Sequence, residues 1–311
     1  MVRGLTIGHR DDVEARIAKI ATSLELLASS SGVEVTRQKI TSGKHFYLRA
    51  ADEWAGFELM YVLEGALTIE DSEQGEIRLQ VGEFIYHNGL PERAYFRAEM
   101  DVELLMVSSS PSFHLGQREI QDMLLLAKSV EEKDPATDGH CMRLERLAIL
   151  TGEQLDLSGE QLIDLSFAAY LHDIGKVKAP DEILNKTGAL NREEWDEMQK
   201  HPEHGAEMLR EKEILQGAAE IVRAHHEQWD GSGYPRGLKG EDIPIGARVI
   251  AVVDTYDAIT CIRPYQKARA REEAIRELEK NAGTQFDATV VAAFLEVVRD
   301  EDGAKSGADI E

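Results

Sequence analysis

The second half of the chain is rich in imidazole and carboxylate groups set on or beside apolar segments. His140 lies in DPATDGHCMR, and His172 and Asp173 close the apolar run from Leu162 to Leu171. HPEHGAEML offers His201 or His204, His225 and His226 follow the run from Ile221 to Ala224, and Asp254 closes the run from Val249 to Val253. His and Asp are hard-to-borderline donors that suit iron, manganese or zinc. A lone histidine pair usually means a surface or satisfied core residue. Several such groups delivered inward by apolar helices are how helical bundles build internal metal sites. They are too many for one ion. Two divalent ions sharing Asp173 as a bridge would use them and leave positions for water and substrate. His225 and His226 would point about 100° apart in a continuous helix, which predicts different tasks for the two. His9, His45, His87 and His114 lack such company and read as ordinary.

The elements that must position these groups are helical. After Pro111 the apolar residues recur at helical spacing, as in Ile120, Met123, Leu124, Ala127 and Val130, which predicts a connecting helix over 111–133. Breaks fall at Lys178 to Pro180, Thr187-Gly188, Gly231 to Pro235 and Asn281 to Gly283. Residues 301–311 read as a flexible tail. The first half is different. Phe57 to Ile69, Glu76 to Leu79, Gly82 to His87 and Val102 to Val107 carry strand signals punctuated by glycine, which predicts a small β-barrel over 32–110. Ahead of it, Val13, Ile17, Ile20, Leu24 and Leu27 predict an amphipathic helix within 1–31, covering the barrel or a second copy of the chain. The expected fold class is therefore a two-domain α+β chain, a small β-barrel followed by an all-α bundle.

The 311 residues carry a formal net charge of −23 and 42% apolar residues. That suffices for two cores and argues against a duplex nucleic-acid partner, which needs a basic face. A small anionic substrate is not excluded, because bound cations invert the local charge. Membrane-surface attachment is disfavoured, and no stretch has the length and apolarity of a membrane span. Met1 to Asp12 contains no apolar segment of signal-peptide length. Cys141 and Cys261 lie outside any Cys-x-x-Cys pattern, which fits free thiols in a reducing cytoplasm.

His172-Asp173-x-Gly-Lys176 followed by HHEQWDGSGYP (His225 to Pro235) resembles the HD-GYP subgroup of the HD-domain metal-dependent phosphohydrolases over residues 120–300. DPATDGHCMR, NKTGAL, His201-x-x-x-Gly205, AVVDTYDAIT and Arg263-Pro264-Tyr265 share the order and spacing of that family's accessory segments. The resemblance implies that His140, His172, Asp173, His201, His225, His226 and Asp254 hold two divalent ions, iron or manganese, and that no organic cofactor is needed. It implies that Lys176 contacts the scissile phosphate and acts with Asp173 in catalysis. Gly233, Tyr234 and Pro235 would shape the substrate loop, and Arg263 would hold a second phosphate. Glu227 and Asp230 are expected to orient ligands or cap helix ends. Ala136 stands where members with a third metal carry Glu, so the chain resembles the two-metal members. Gln266 replaces a basic residue common three positions after the Arg of RPY, which weakens the expected second phosphate clamp.

The first half resembles a cupin over residues 32–110, on Glu58, Tyr61 to Gly65 and the Gly82 to Tyr95 stretch. Metal-binding cupins place three histidines where this chain has Asp52, Trp54 and Arg93, so the resemblance implies a cupin without a catalytic metal. It is read either as a sensor in which Glu58, Tyr61, His87 and Arg93 meet a small ligand, or as a dimerisation and packing module.

The leading functional expectation is hydrolysis of cyclic di-GMP to pGpG, and in some members onward to GMP, through a hydroxide bridging two metals, in bacterial second-messenger signalling. The alternatives are a non-catalytic cyclic dinucleotide receptor or interaction module, and a phosphodiesterase for another cyclic dinucleotide.

Overall fold

Strand pairing dominates the first half. The computed structural model describes residues 15–18, 22–48, 50, 56–71, 75–109, 123–130, 139–186, 188–212, 215–260 and 271–308. They belong to two compact units, Met1–Glu119 and Ile120–Glu311.

In the first unit the strands are β1 (Ala15–Ala18), β2 (Thr22–Ser30), β3 (Val33–Ile40), β4 (His45–Leu48), β5 (Phe57–Glu64), β6 (Ala66–Asp71), β7 (Gly75–Gln80), β8 (Phe84–Asn88), β9 (Ala94–Ala98) and β10 (Val102–Ser108). They form a six-stranded sheet, β1-β2-β3-β10-β5-β8, and a four-stranded sheet, β4-β9-β6-β7, with antiparallel ladders throughout. Alternate residues bury one face, as period two requires. Met60, Val62 and Leu104 from the larger sheet share a core with Leu67, Leu79 and Phe96 from the smaller one.

Two expectations are corrected here. The described strands make two open sheets, not one closed barrel. Facing another sheet buries the apolar side without edge-to-edge closure. The expected N-terminal helix is also absent from the described part of 1–31, which forms β1 and β2 instead. The helical spacing rests on Leu24 and Leu27, but Leu24 and Leu26 fit a period-two pattern, and β2 pairs with β3 from Thr22 to Ser30. Tertiary pairing therefore outweighs a short helical stripe.

The expected ligand pocket of this unit does not assemble as a group of four. Glu58 and His87 are directly opposed across β5 and β8, with Oε2 and Nε2 3.3 Å apart. Tyr61, three residues along the strand from Glu58, projects to the other face and stacks on Phe84 at a centroid distance of 6.4 Å. Strand alternation makes this unavoidable. Arg93 lies 4.8 Å over the Tyr47 ring of the smaller sheet.

His45, expected to be ordinary, is not. Burial, then the charges of Arg97 and Lys44, lower its pKa from 6.5 to about 4. The unfolded chain takes up this proton first, so its contribution to stability is lost as pH falls from about 6.5 to about 4. The urea midpoint of wild-type protein is expected to drop more between pH 7 and pH 5 than that of His45→Gln. Equal drops would show that His45 does not report on folding.

The second unit is helical. Residues 123–130 form α1, followed by α2 (His140–Gln154), α3 (Gly159–Leu171), a 3-10 turn (Ile174–Lys178), α4 (Asp181–Leu184), α5 (Arg192–Met198) and α6 (His201–Arg210). Then come α7 (Gln216–Ala224), a 3-10 turn (Gly240–Asp242), α8 (Ile245–Thr260), α9 (Arg271–Asn281) and α10 (Ala288–Ala308). Capping boxes fix two starts, Ser158 with Gln161 for α3 and Asn191 with Glu194 for α5. Leu144, Leu165, Leu209, Val222, Val253 and Phe294 are fully buried in one core. Met123 and Ala127 of α1 join it, so the described part of the expected connecting helix packs as a member of this unit. The tail expected over 301–311 is helical as far as Ala308. Its Ala, Lys and Glu residues favour continuation, and two glycines do not suffice to end the helix. No helix among the described residues is long and apolar enough to cross a membrane.

Candidate metal centre

Helix ends build the centre. His172 is the C-cap of α3, and Asp173 follows it as the N-cap of the 3-10 turn. His225 is the C-cap of α7, and His201 opens α6 just beyond the end of α5. At each of these places the preceding helix leaves carbonyls without an intrahelical partner. His172 Nδ1 pairs with Ala169 O at 3.0 Å, His201 Nδ1 with Met198 O at 2.7 Å, and His225 Nδ1 with Val222 O at 2.7 Å. A carbonyl only accepts, so each Nδ1 carries the proton and each Nε2 presents a lone pair. The C-terminal ends of α3 and α7 also carry partial negative charge, which favours a cation.

These lone pairs converge. Ligand atoms of Asp173, His201, His225 and His226 lie within 4.8 Å of one another, and so do those of His140, His172 and Asp254. All seven expected ligands are therefore gathered, in two groups, and His204 is in neither. Asp173 stands between the groups: Oδ1 is 3.3 Å from His201 Nε2, and Oδ2 is 3.3 Å from His172 Nε2. His201 Nε2 and His225 Nε2 are 3.3 Å apart, two buried lone pairs in mutual repulsion unless a cation lies between them. His172 Nε2 is buried without a hydrogen-bond partner. Both observations fit a divalent metal. His225 and His226 share one group, contrary to the expectation of different tasks. The helix ends at Ala224, so the helical angle does not apply, and the rings lie 4.0 Å apart.

His140, His172, His201 and His225 are at most 5% exposed, whereas the side chains of Asp173, Asp254 and Lys176 are 26%, 29% and 28% exposed. The imidazoles form the floor, and the carboxylates and Lys176 the open side. Burial opposes ionisation of Asp173, but the Lys176 charge, at 2.6 Å, outweighs it and holds the carboxyl well below its ordinary range. Burial pushes His226 down to about 3.

The loop after His226 folds back over it. Tyr234 N donates to His226 O at 3.2 Å, and the two rings lie 4.8 Å apart. Gly233 allows this crossing, because a Cβ there would come within 2.5 Å of Glu227 Cα and His226 O. Burial, then the charges of Asp173 and Asp254, raise the Tyr234 pKa, so the phenol remains a hydrogen-bond donor. Glu227, 3% exposed, accepts the backbone N–H groups of Arg236 and Leu238 at 2.8 and 2.9 Å. Asp230 accepts from Ser232 N at 2.9 Å and Ser232 Oγ at 2.6 Å. Both carboxylates brace the loop through these bonds. Pro235 sits within it. Arg263, Gln266 and Ala136 lie outside the described residues.

Sequence reading missed one contact. His140 Nδ1 lies 2.6 Å from Asp257 Oδ2, and Arg143 Nε donates to Asp257 Oδ1 at 2.9 Å. The signal was present, since Asp257 follows Asp254, and Arg143 follows His140, by one helical turn.

With this geometry in view, known proteins place the chain. A family model for the HD domain matches residues 124–290, more than half of the chain, and the protein belongs to the HD domain family. It is 42% identical to a cyclic di-GMP phosphodiesterase of Thermotoga maritima over 172 residues, 55% of this chain and 47% of that protein. Against the cyclic di-GMP phosphodiesterase response regulator RpfG of Xanthomonas campestris pv. campestris, identity is 40% over 181 residues, 58% and 48% of the two chains. Against 3'3'-cGAMP-specific phosphodiesterase 2 of Vibrio cholerae it is 41% over 177 residues, 55% and 33%. The chain thus spans half or less of the length of these relatives.

Proposed function

We propose that the helical unit is an HD-GYP-type phosphodiesterase that hydrolyses cyclic di-GMP to pGpG with two divalent ions, iron or manganese, held by the seven gathered ligands. The observation that carries this reading is the Asp173 carboxylate, with one oxygen toward each group of histidines. Paired cations, when bound, lower the pKa of water and polarise phosphoryl oxygens. In the reaction a water oxygen forms the new bond to phosphorus, and the P–O3′ bond breaks. Lys176 is placed on the open side to neutralise charge developing on the non-bridging oxygens. Tyr234 donates a hydrogen bond to a phosphate, and Gly233 to Pro235 wall the site. Arg263 is proposed to hold the second phosphate. The first unit is proposed to be a cupin-like sensing or assembly module, since double-sheet packing is one form that architecture takes, with the Glu58–His87 pair as its remaining pocket element. A cytoplasmic setting and a second copy of the chain as partner belong to the same proposal.

A second reading has its own support: relatives named for 3'3'-cGAMP are as similar as those named for cyclic di-GMP. Protein purified anaerobically with iron or manganese, given each dinucleotide in turn, separates the two by chromatography of the products. Binding without product would make the unit a receptor. Lys176→Ala is expected to lower turnover by about 10²-fold, roughly 3 kcal/mol of lost charge stabilisation, while metal per chain stays unchanged. Loss of metal in this variant would make Lys176 part of the ion site instead.

A further inference from the structure

We propose that Asp257, clamped by Arg143, is the positioning residue for His140, and that it makes the second ion's site (His140, His172, Asp254) separable from the first. The inference rests on the two-ion reading above and adds how each half of the centre is assembled. Three histidines take their orientation from main-chain carbonyls at the ends of helices. His140 cannot. It is the first residue of α2, and the N-terminus of a helix offers N–H groups, which cannot accept its Nδ1 proton. A carboxylate from α8 does that work instead, at 2.6 Å. The opposite ring nitrogen is thereby turned toward Asp254, with Nε2 3.5 Å from Oδ1.

Asp257 is itself held. Arg143 reaches both of its oxygens, Nε to Oδ1 at 2.9 Å and Nη2 to Oδ2 at 3.1 Å, and the Asp257 side chain is only 5% exposed. The fork of the guanidinium fixes the carboxylate plane, which a single contact would not do. Arg143 is one turn along α2 from His140, so α2 carries both the ligand and the clamp, while α8 carries Asp257 and, one turn earlier, Asp254. The second site therefore exists only while α2 and α8 are in register. The first site (Asp173, His201, His225, His226) contains no residue from either helix. A carboxylate behind an imidazole also makes it a stronger donor than a carbonyl does, and loss of such partners typically weakens metal binding by about 10- to 100-fold.

The test is Mn²⁺ titration of the metal-free full-length protein, with ions per chain counted and the electron paramagnetic resonance spectrum recorded. Wild type should take two ions and show a spin-coupled pair. Asp257→Ala should bind the first ion as wild type does, weaken the second by about 10- to 100-fold, and show an isolated ion at one equivalent. Asp257→Asn, which keeps an acceptor oxygen, should recover part of the loss, and Arg143→Met should show a smaller loss. Melting of the metal-free variants tells folding from ligation. If Asp257→Ala does not fold, Asp257→Asn and Arg143→Met decide. Two ions bound at wild-type affinity in these variants, or equal loss of both, would overturn the proposal. A wild-type chain that takes up no Mn²⁺ would overturn the metal-centre reading beneath it.

Discussion

Asp173→Ala should empty both halves of the centre and lower phosphodiester hydrolysis by about a thousandfold or more. Its carboxylate has one oxygen 3.3 Å from a histidine of each half. In the two-ion reading proposed above, removing it would take away the anion between His172 and His201 that balances the charge of the ions. Charge stabilisation by bound metals is worth several kcal/mol at a phosphoryl transition state, and each 1.36 kcal/mol is about tenfold in rate. Lys176 would then lose its carboxylate partner at 2.6 Å. Metal analysis should find well under one ion per chain, against two in wild type. Retention of both ions by the variant would mean that the histidines suffice and that Asp173 does not bridge.

Gly175→Ala should be strongly destabilising although Gly175 is not among the gathered residues of the centre. The 3-10 turn carrying Asp173 and Lys176 sits directly on the start of α6. A Cβ at Gly175 would lie 2.0 Å from His201 O and 2.5 Å from Gly205 N. Both are main-chain atoms of a helix and cannot rotate away. The turn must lift, which separates Asp173 from His201. Overpacking of this kind costs about 3 kcal/mol or more, or roughly 6–12 °C in melting temperature for a unit of this size. Gly188→Ala is the control, because nothing lies within 4 Å of a Cβ there, and its effect should stay within about 0.5 kcal/mol. Similar melting temperatures for the two variants would show that the turn tolerates displacement.

The seven gathered residues were legible in the sequence because the features that mark them are local. His172-Asp173 and His225-His226 each sit where an apolar helix ends, and both the residue types and the helix ends can be read along the chain. Asp257 was harder to find, although it lies inside a quoted segment. Its role depends on α2 packing against α8, and that contact joins residues 117 positions apart. The first unit shows the same limit. Strand signals from Phe57 to Val107 survive as β5 to β8 and β10, while β9 carried none, and whether the sheets close is set by pairings between distant edges. Leu24 has Leu27 at helical spacing and Leu26 at strand spacing, and the register with β3 decides. The cupin resemblance groups Tyr61 with Glu58, while an odd spacing on a strand sends the two to opposite faces.

Three of the imidazoles owe their orientation to Ala169, Met198 and Val222, through backbone oxygens alone. No side-chain replacement at those positions deletes the acceptor, short of breaking the helix that carries it. A saturation scan should therefore show those three positions tolerating any residue that suits size and helix, with metal content preserved. Variation at these positions is thus limited by packing and helix propensity and not by the hydrogen bonds, and the imidazole floor persists. Such a floor is inherited with the fold itself, and the arm from α8 is the part a lineage can adjust by single substitutions.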